Sequence, residues 1–150
     1  MKKNLVTGAS GFIGQSLCET LSKSERSVLG AVRSLNSNLL NNKIKYISVG
    51  DISFKKNWKD LLLGVDCIIH CGSQKLNGEI LNSSKFGVLS SFHPKHNEHE
   101  PNGFWEVYYK KPCSEIVIYK LNQDHNKNEI VCKGNLMTSN LWLVNYFQML

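Results

Sequence analysis

Three glycines spaced by three, Gly8, Gly11 and Gly14, follow the apolar pair Leu5 and Val6 and run directly into an apolar helical pattern. That order of strand, tight turn and helix start suits phosphate chemistry. Gly8 allows the turn, Gly11 lets a pyrophosphate approach the backbone, and Gly14 lets the helix lie close on the strand. The helix start adds unpaired N–H groups and the positive end of the helix dipole. A plain structural turn before a helix is the alternative reading of the same three residues.

Other residues invite chemistry less strongly. His93, His96 and His99 recur every third position, which on a helix would approximate a metal-binding face. Pro94 and the lack of an apolar partner face argue instead for a solvated loop. Five cysteines (Cys18, Cys67, Cys71, Cys113 and Cys132) form an odd set without Cys-x-x-Cys spacing. Most sit in apolar runs, where a buried thiol is the simple expectation, and they point to a reducing, cytoplasmic location. His70 closes an apolar run and reads either as a satisfied histidine at a strand end or as a catalytic one. The net charge of +6 is uneven, with ten Lys/Arg against five Asp/Glu in residues 1–72 and eight against seven in 73–150. The excess suits an anionic ligand or a solvated face; without a basic cluster, no nucleic-acid partner is expected. No stretch reaches the roughly 20 apolar residues of a membrane span, and no signal peptide is read at the start.

The elements that position the glycines follow from periodicity. Residues 3–7 read as a first strand and 12–21 as a helix whose Ile13, Leu17 and Leu21 share one face. Runs at 27–33 and 65–71 read as the second and fourth strands, both buried, and 44–49 as a third strand. Residues 35–42 read as a loop, and 57–63 as a helix with Trp58, Leu61 and Leu62 inward and Gly64 as its C-terminal cap.

The run Thr7-Gly8-Ala9-Ser10-Gly11-Phe12-Ile13-Gly14 resembles the cofactor loop of the extended short-chain dehydrogenase/reductases, the family of nucleotide-sugar epimerases and dehydratases. The resemblance spans about residues 2–72. It implies an α/β fold: a partial Rossmann-type parallel sheet of strand order 3-2-1-4, with the nucleotide at the carboxyl ends of the strands. It also implies a dinucleotide cofactor, NAD or NADP, held by Gly8, Ser10, Gly11, Phe12, Ile13 and Gly14. Arg33 stands where an acid would accept from a free ribose hydroxyl and a base would suit a 2'-phosphate; a solvated loop charge is its other reading. Asp51 and Ile52 stand at the adenine, one to accept from the exocyclic amine and one to cover the ring, although Asp51 also suits a helix cap or turn. Gly72 stands at the ribose and nicotinamide.

Beyond Gly72 the family pattern gives out. Its enzymes carry a Tyr-x-x-x-Lys pair in which the lysine lowers the tyrosine's pKa, so that the phenolate acts as base toward a sugar hydroxyl. None of Tyr46, Tyr108, Tyr109, Tyr119 and Tyr146 has lysine four residues later. The expectation is therefore a cofactor-binding part (1–72), truncated or fused, then an irregular connection (73–103) and a β-rich segment (104–150), with catalysis absent. Nucleotide sugar remains the implied substrate of the family. Within the last segment, 104–109 and 115–119 read as two strands joined by a turn at 110–112, and 130–132 as a further strand. Trp105-Glu106-Val107, Pro112 and Glu115-Ile116-Val117-Ile118-Tyr119 resemble discoidin-type carbohydrate-binding jelly rolls over about residues 82–125, which implies a glycan- or protein-binding module; a chance hairpin is the alternative. The apolar tail, 141–150, reads as a final buried element or an aggregation hazard.

Overall fold

The computed structural model describes residues 2–24, 26–35, 43–52, 57–72, 74–91, 104–124 and 127–144. The histidine triplet and the loop at 36–42 lie outside the described residues. Among those described, the chain forms β1 (Lys3–Thr7), α1 (Phe12–Lys23), β2 (Ser27–Val32), β3 (Lys45–Ser48), β4 (Cys67–His70), a 3-10 helix (Gly78–Asn82), β5 (Val88–Ser90), α2 (Phe104–Tyr108), β6 (Cys113–Leu121) and β7 (Glu129–Met137). The strands make one seven-stranded sheet of order β3-β2-β1-β4-β5-β6-β7.

The first five strands are parallel, with Asn4 beside Val28 and Cys67, and Thr7 beside Ala31 and His70. The expected order 3-2-1-4 is the one observed. Strands buried on both faces must be apolar at successive positions, which is why Leu5 and Val6 adjoin in β1 and an apolar run fills β2 from Val28 to Val32. Their side chains alternate between two cores. Val6, Val28 and Val32 meet Cys18 and Leu17 beneath α1. Leu5, Leu29 and Ile68 meet Trp58, Leu62 and Ile80 on the other face.

Among the described residues that second face is covered by turns, a 3-10 helix and connecting segments. The expected helix at 57–63 is corrected to turns, in which the Leu62 amide bonds the Trp58 carbonyl at 2.9 Å and the Val65 amide bonds the Leu62 carbonyl at 2.9 Å. A segment this short cannot repay helix nucleation locally, and burying Trp58 and Leu62 four residues apart needs only one turn. Gly64, at φ 73°, still closes it. Within 73–103, where no period is visible, the structure places the 3-10 helix and β5, with Ile80, Leu81 and Val88 buried.

The strand expected at 104–109 is also corrected: it is α2. Its aromatic rings meet at helical spacing, Phe104 stacking on Tyr108 at 6.1 Å between centroids and Trp105 on Tyr109 at 5.7 Å. Aromatic content favours strands only where a pleated surface awaits it, and here the rings pack on one another. The turn expected at 110–112 is the helix exit, where Lys110 takes φ 51° and the Lys111 amide bonds the Glu106 carbonyl. Strand β6 then pairs antiparallel with β5 and β7, and β7 is longer than the expected 130–132. Thus the described part of 82–125 builds no jelly roll but adds β5 and β6 to the parallel sheet. Of the tail, Leu141, Leu143 and Val144 are exposed, so no buried element forms over these residues. No helix of the described residues is long and apolar enough to cross a membrane.

The two tryptophans separate core from surface. Trp58 is 3% exposed and Trp105 40%. Trp58→Ala is expected to cost about 3–5 kcal/mol and Trp105→Ala about 1 kcal/mol or less, measured by urea unfolding. Similar losses at both positions would contradict this packing.

Candidate functional site

The carboxyl ends of β1 to β4 converge on a cleft of about 340 Å³. It lies where strand order reverses, with β2 and β3 on one side of β1 and β4 on the other, the place where open parallel sheets leave a crevice. Thr7 and Gly8 reach it from β1, Val32 and Arg33 from β2, Gly50 and Ile52 after β3, and His70, Gly72 and Gln74 after β4.

Gly8 turns the chain at φ 71°, and the Gly11 amide closes the turn on the Gly8 carbonyl at 2.9 Å. A Cβ on Gly14 would lie 2.1 Å from the Gly8 oxygen and 2.8 Å from Ala9 Cα, so only glycine lets α1 rest on this turn. Gly11 is different. It is the exposed N-cap of α1, and a Cβ there would meet only the Gly8 oxygen, at 3.3 Å. No side chain caps α1, and its first turn holds no acid. The opening amides of α1 are therefore left without a side-chain partner beside an open backbone, which suits an anion. The Gln15 side chain bonds the Ser10 carbonyl at 3.0 Å and ties the loop to the helix.

Of the ten residues the sequence points to, Gly8, Ser10, Arg33, Ile52 and Gly72 line the cleft. Gly11, Phe12, Ile13 and Gly14 form the start of α1 next to it, with Phe12 79% exposed and Gly14 buried. Asp51 is half-buried between the wall residues Gly50 and Ile52. The sequence reading leaves out Thr7, Val32, Gly50 and Gln74 as cofactor contacts. Their signal is positional: each ends or follows a parallel strand on the carboxyl side.

The titratable groups here are quiet. Burial lowers the pKa of His70, partly offset by its bond to the Gln74 carbonyl. Burial pushes the Cys18 thiol up to about 11, with Cys71 and Glu19 adding to the rise, and raises Cys71 as well. Tyr46, under α1, has its phenol raised by burial and then by Cys18 and Glu19, the reverse of what a base at neutral pH needs. The described residues hold no group of three or more His, Cys, Asp or Glu arranged for a metal. The open backbone at the start of α1 suits an anionic ligand.

A parallel sheet whose glycine turn feeds an open helix N-terminus at the switch point is a partial Rossmann-type α/β fold. The profile of the NAD dependent epimerase/dehydratase family matches residues 4–85, more than half of the chain, and the chain belongs to that family. The match passes Gly72, where the resemblance visible by eye stops, and takes in Gln74 and the 3-10 helix. Among solved structures, Gre2 from Candida albicans is 25% identical, with 55% of this chain covering 29% of that one at a TM-score of 0.44. The UDP-glucuronic acid 4-epimerase from Bacillus cereus, solved in complex with NAD, is 28% identical, with 57% covering 32% at 0.40. The chain therefore spans about three tenths of the length of these structures. No curated protein matches it in sequence.

The glycine geometry predicts a split between two substitutions. Gly14→Ala drives a methyl into backbone and is expected to cost about 3 kcal/mol or more, whereas Gly11→Val is expected to stay within about 1 kcal/mol of the parent. Thermal unfolding of both checks this, and a stable Gly14→Ala would show that α1 does not rest on the Gly8 turn.

Proposed function

We propose that this chain binds an adenine dinucleotide, NAD or NADP, and supplies the cofactor-holding part of an epimerase/dehydratase-type protein. One observation carries the reading: Gly11, the N-cap of α1, is exposed and brings no capping side chain, while Gly14 three residues on locks the helix onto the turn, so the backbone offers amides to a pyrophosphate without a side chain in the way. Gly8 and the first turn of α1 would hold that pyrophosphate. The adenine would lie against Ile52, with Asp51 beside it for the exocyclic amine. Arg33, a cationic wall residue at the end of β2, favours a ribose carrying a 2'-phosphate.

When bound, the dinucleotide supplies hydride transfer, and in the family a nucleotide sugar is the partner that fits it. This chain's part is to bind and orient. It has no Tyr-x-x-x-Lys pair, and Tyr46 is held as a neutral phenol, so no turnover of a nucleotide sugar is expected from it alone. Five free cysteines favour a reducing compartment such as the cytoplasm.

Calorimetric titration at low salt tests the binding. NADP is expected to bind more tightly than NAD, and Arg33→Ser to bring the two together, since a charge-assisted bond to phosphate contributes about 1.5–3 kcal/mol. Gly11→Val should remove both while leaving the fold intact. Absence of binding by the parent, or equal binding by Gly11→Val, would overturn the proposal.

Turnover is checked separately with purified chain, NADP or NAD, and a uridine-diphosphate sugar. No epimerised or dehydrated product is expected; product that disappears in Gly11→Val would overturn the purely cofactor-holding role.

A further inference from the structure

Thr7 and His70 end the two central strands as register partners, and both are buried. Thr7 Oγ1 lies 2.6 Å from His70 Nδ1, and His70 Nε2 lies 2.7 Å from the Gln74 carbonyl oxygen. A carbonyl can only accept, so Nε2 carries the ring proton and donates to Gln74. Nδ1 keeps its lone pair and accepts from the Thr7 hydroxyl. The protein thus selects one neutral tautomer.

The ring also acts as a spacer. A Cβ on Gly72 would lie 3.0 Å from His70 Cε1, and a Cβ on Gly8 would lie 3.2 Å from the Cys71 carbonyl carbon and 3.3 Å from the Gly72 nitrogen. Ring, Gly72 and Gly8 are therefore in close succession, and all three line the cleft. We infer that His70 is a positioning residue, its neutral ring setting the spacing between the glycine turn after β1 and the Gly72 backbone after β4, so that protonating it loosens the cleft floor and weakens dinucleotide binding. The binding half of this inference rests on the dinucleotide reading above; the floor geometry is a property of the unliganded chain.

The groups that hydrogen-bond the ring are neutral: the Thr7 hydroxyl from β1 and the Gln74 carbonyl from the following loop, while the Ser90 hydroxyl of β5 donates to the His70 backbone carbonyl at 3.2 Å. Cys71 follows on the same segment, and burial keeps its thiol protonated. Arg33 stands at the end of β2, on the far side of β1. No carboxylate among these offsets an imidazolium. On protonation Nδ1 becomes a donor, and the Thr7 hydroxyl must turn and surrender its own bond. A ligand filling the cleft removes more water from the ring and disfavours its charge further. By linkage, binding and protonation then oppose each other. Since burial lowers the pKa, affinity should be level at neutral and alkaline pH and fall in acid below the ordinary histidine value of about 6.5.

The test uses the full chain, NADP as probe, and calorimetry from about pH 5 to about pH 8, together with amide and ring nitrogen resonances of the unliganded protein. The Gly8 and Gly72 amides should shift with the same midpoint as the His70 ring. His70→Gln, whose carboxamide sets an acceptor beside a donor and does not titrate, should bind within about threefold of the parent at neutral pH and lose the acid fall. His70→Leu should bind about tenfold more weakly. Thr7→Val, which removes only the hydroxyl, should weaken binding and uncouple the Gly8 amide from the ring, and it serves if His70→Leu does not fold. Amides that ignore the ring's titration, or a folded His70→Leu that binds as the parent does, would overturn the inference. A parent that binds no dinucleotide at any pH overturns the binding half together with the functional proposal, and the amide titration then decides the floor geometry alone.

Discussion

The contact on which the structure depends is the one between Gly14 and the Gly8 turn. With 2.1 Å between the Gly8 oxygen and the place a Cβ would occupy, α1 lies directly on the chain leaving β1. This fixes where the helix axis crosses the sheet and aims the helix start at the carboxyl end of β1. It also decides which side chains α1 can bury. Cys18 and Leu17 land on Val6 and Val28 because the first turn is already set by backbone contact. The binding geometry and the packing of one core are thus consequences of a single missing methyl group.

A second constraint is that both faces of a parallel sheet must be covered. On one face α1 does this for β1 and β2. On the other the work falls to Trp58, Leu62, Leu76 and Ile80, carried by turns and a 3-10 helix. Large side chains on short segments replace the long amphipathic helix that a crossover usually provides. The cleft is walled accordingly: from β1 and β2 by strand ends locked in register, and after β3 by Gly50 and Ile52, the last of which packs against that second core.

Strands β1, β2 and β4 are legible in the sequence because parallel strands buried on both faces place apolar residues at successive positions, while β3, an edge strand with no fully buried residue, shows only through Tyr46 and Ile47; the glycine spacing marks where the first crossover begins. The glycine turn is legible for the same reason. The rest of the cleft is not. Thr7, Val32 and Gln74 have no distinctive type or spacing and matter only because the sheet brings their strand ends together. His70 is visible as a histidine, but its bond to Thr7 across 63 positions is not. Strand β5, three residues long, is too short for a period to show. Aromatic residues at 104–109 satisfy both a strand's composition and a helix's i, i+4 ring pairs, and nothing local decides between them.

The antiparallel return at β6 changes what this sheet can become. Ser90, the last residue of β5, pairs with Tyr119, so Cys113 to Ile118 of β6 and their β7 partners extend past the carboxyl end of β5. The register shift in the β6–β7 ladder falls between Ile118 and Tyr119, at the point where β6 loses its inner neighbour. A bulge bends and twists the strand that carries it, so the hairpin departs from the sheet plane where it stops being held by β5. Beyond that point β6 and β7 pair as a two-stranded ribbon, which is marginal by itself in water. Ser114 bonds Thr138 at 3.0 Å, the Thr138 amide bonds the Pro112 carbonyl at 3.0 Å, and Lys133 pairs with Glu115 at 3.1 Å. The last of these is exposed and contributes little, whereas Ser114 is fully buried, so its bond to Thr138 and the Thr138–Pro112 backbone bond act together at the ribbon's far end. A parallel sheet that continued past β5 would send crossover loops to the cleft side; a ribbon that turns back sends strand instead. Among the described residues the cleft is therefore lined by β1, β2 and β4 and by the segments that follow β1 to β4, and β6 and β7 contribute none of its lining.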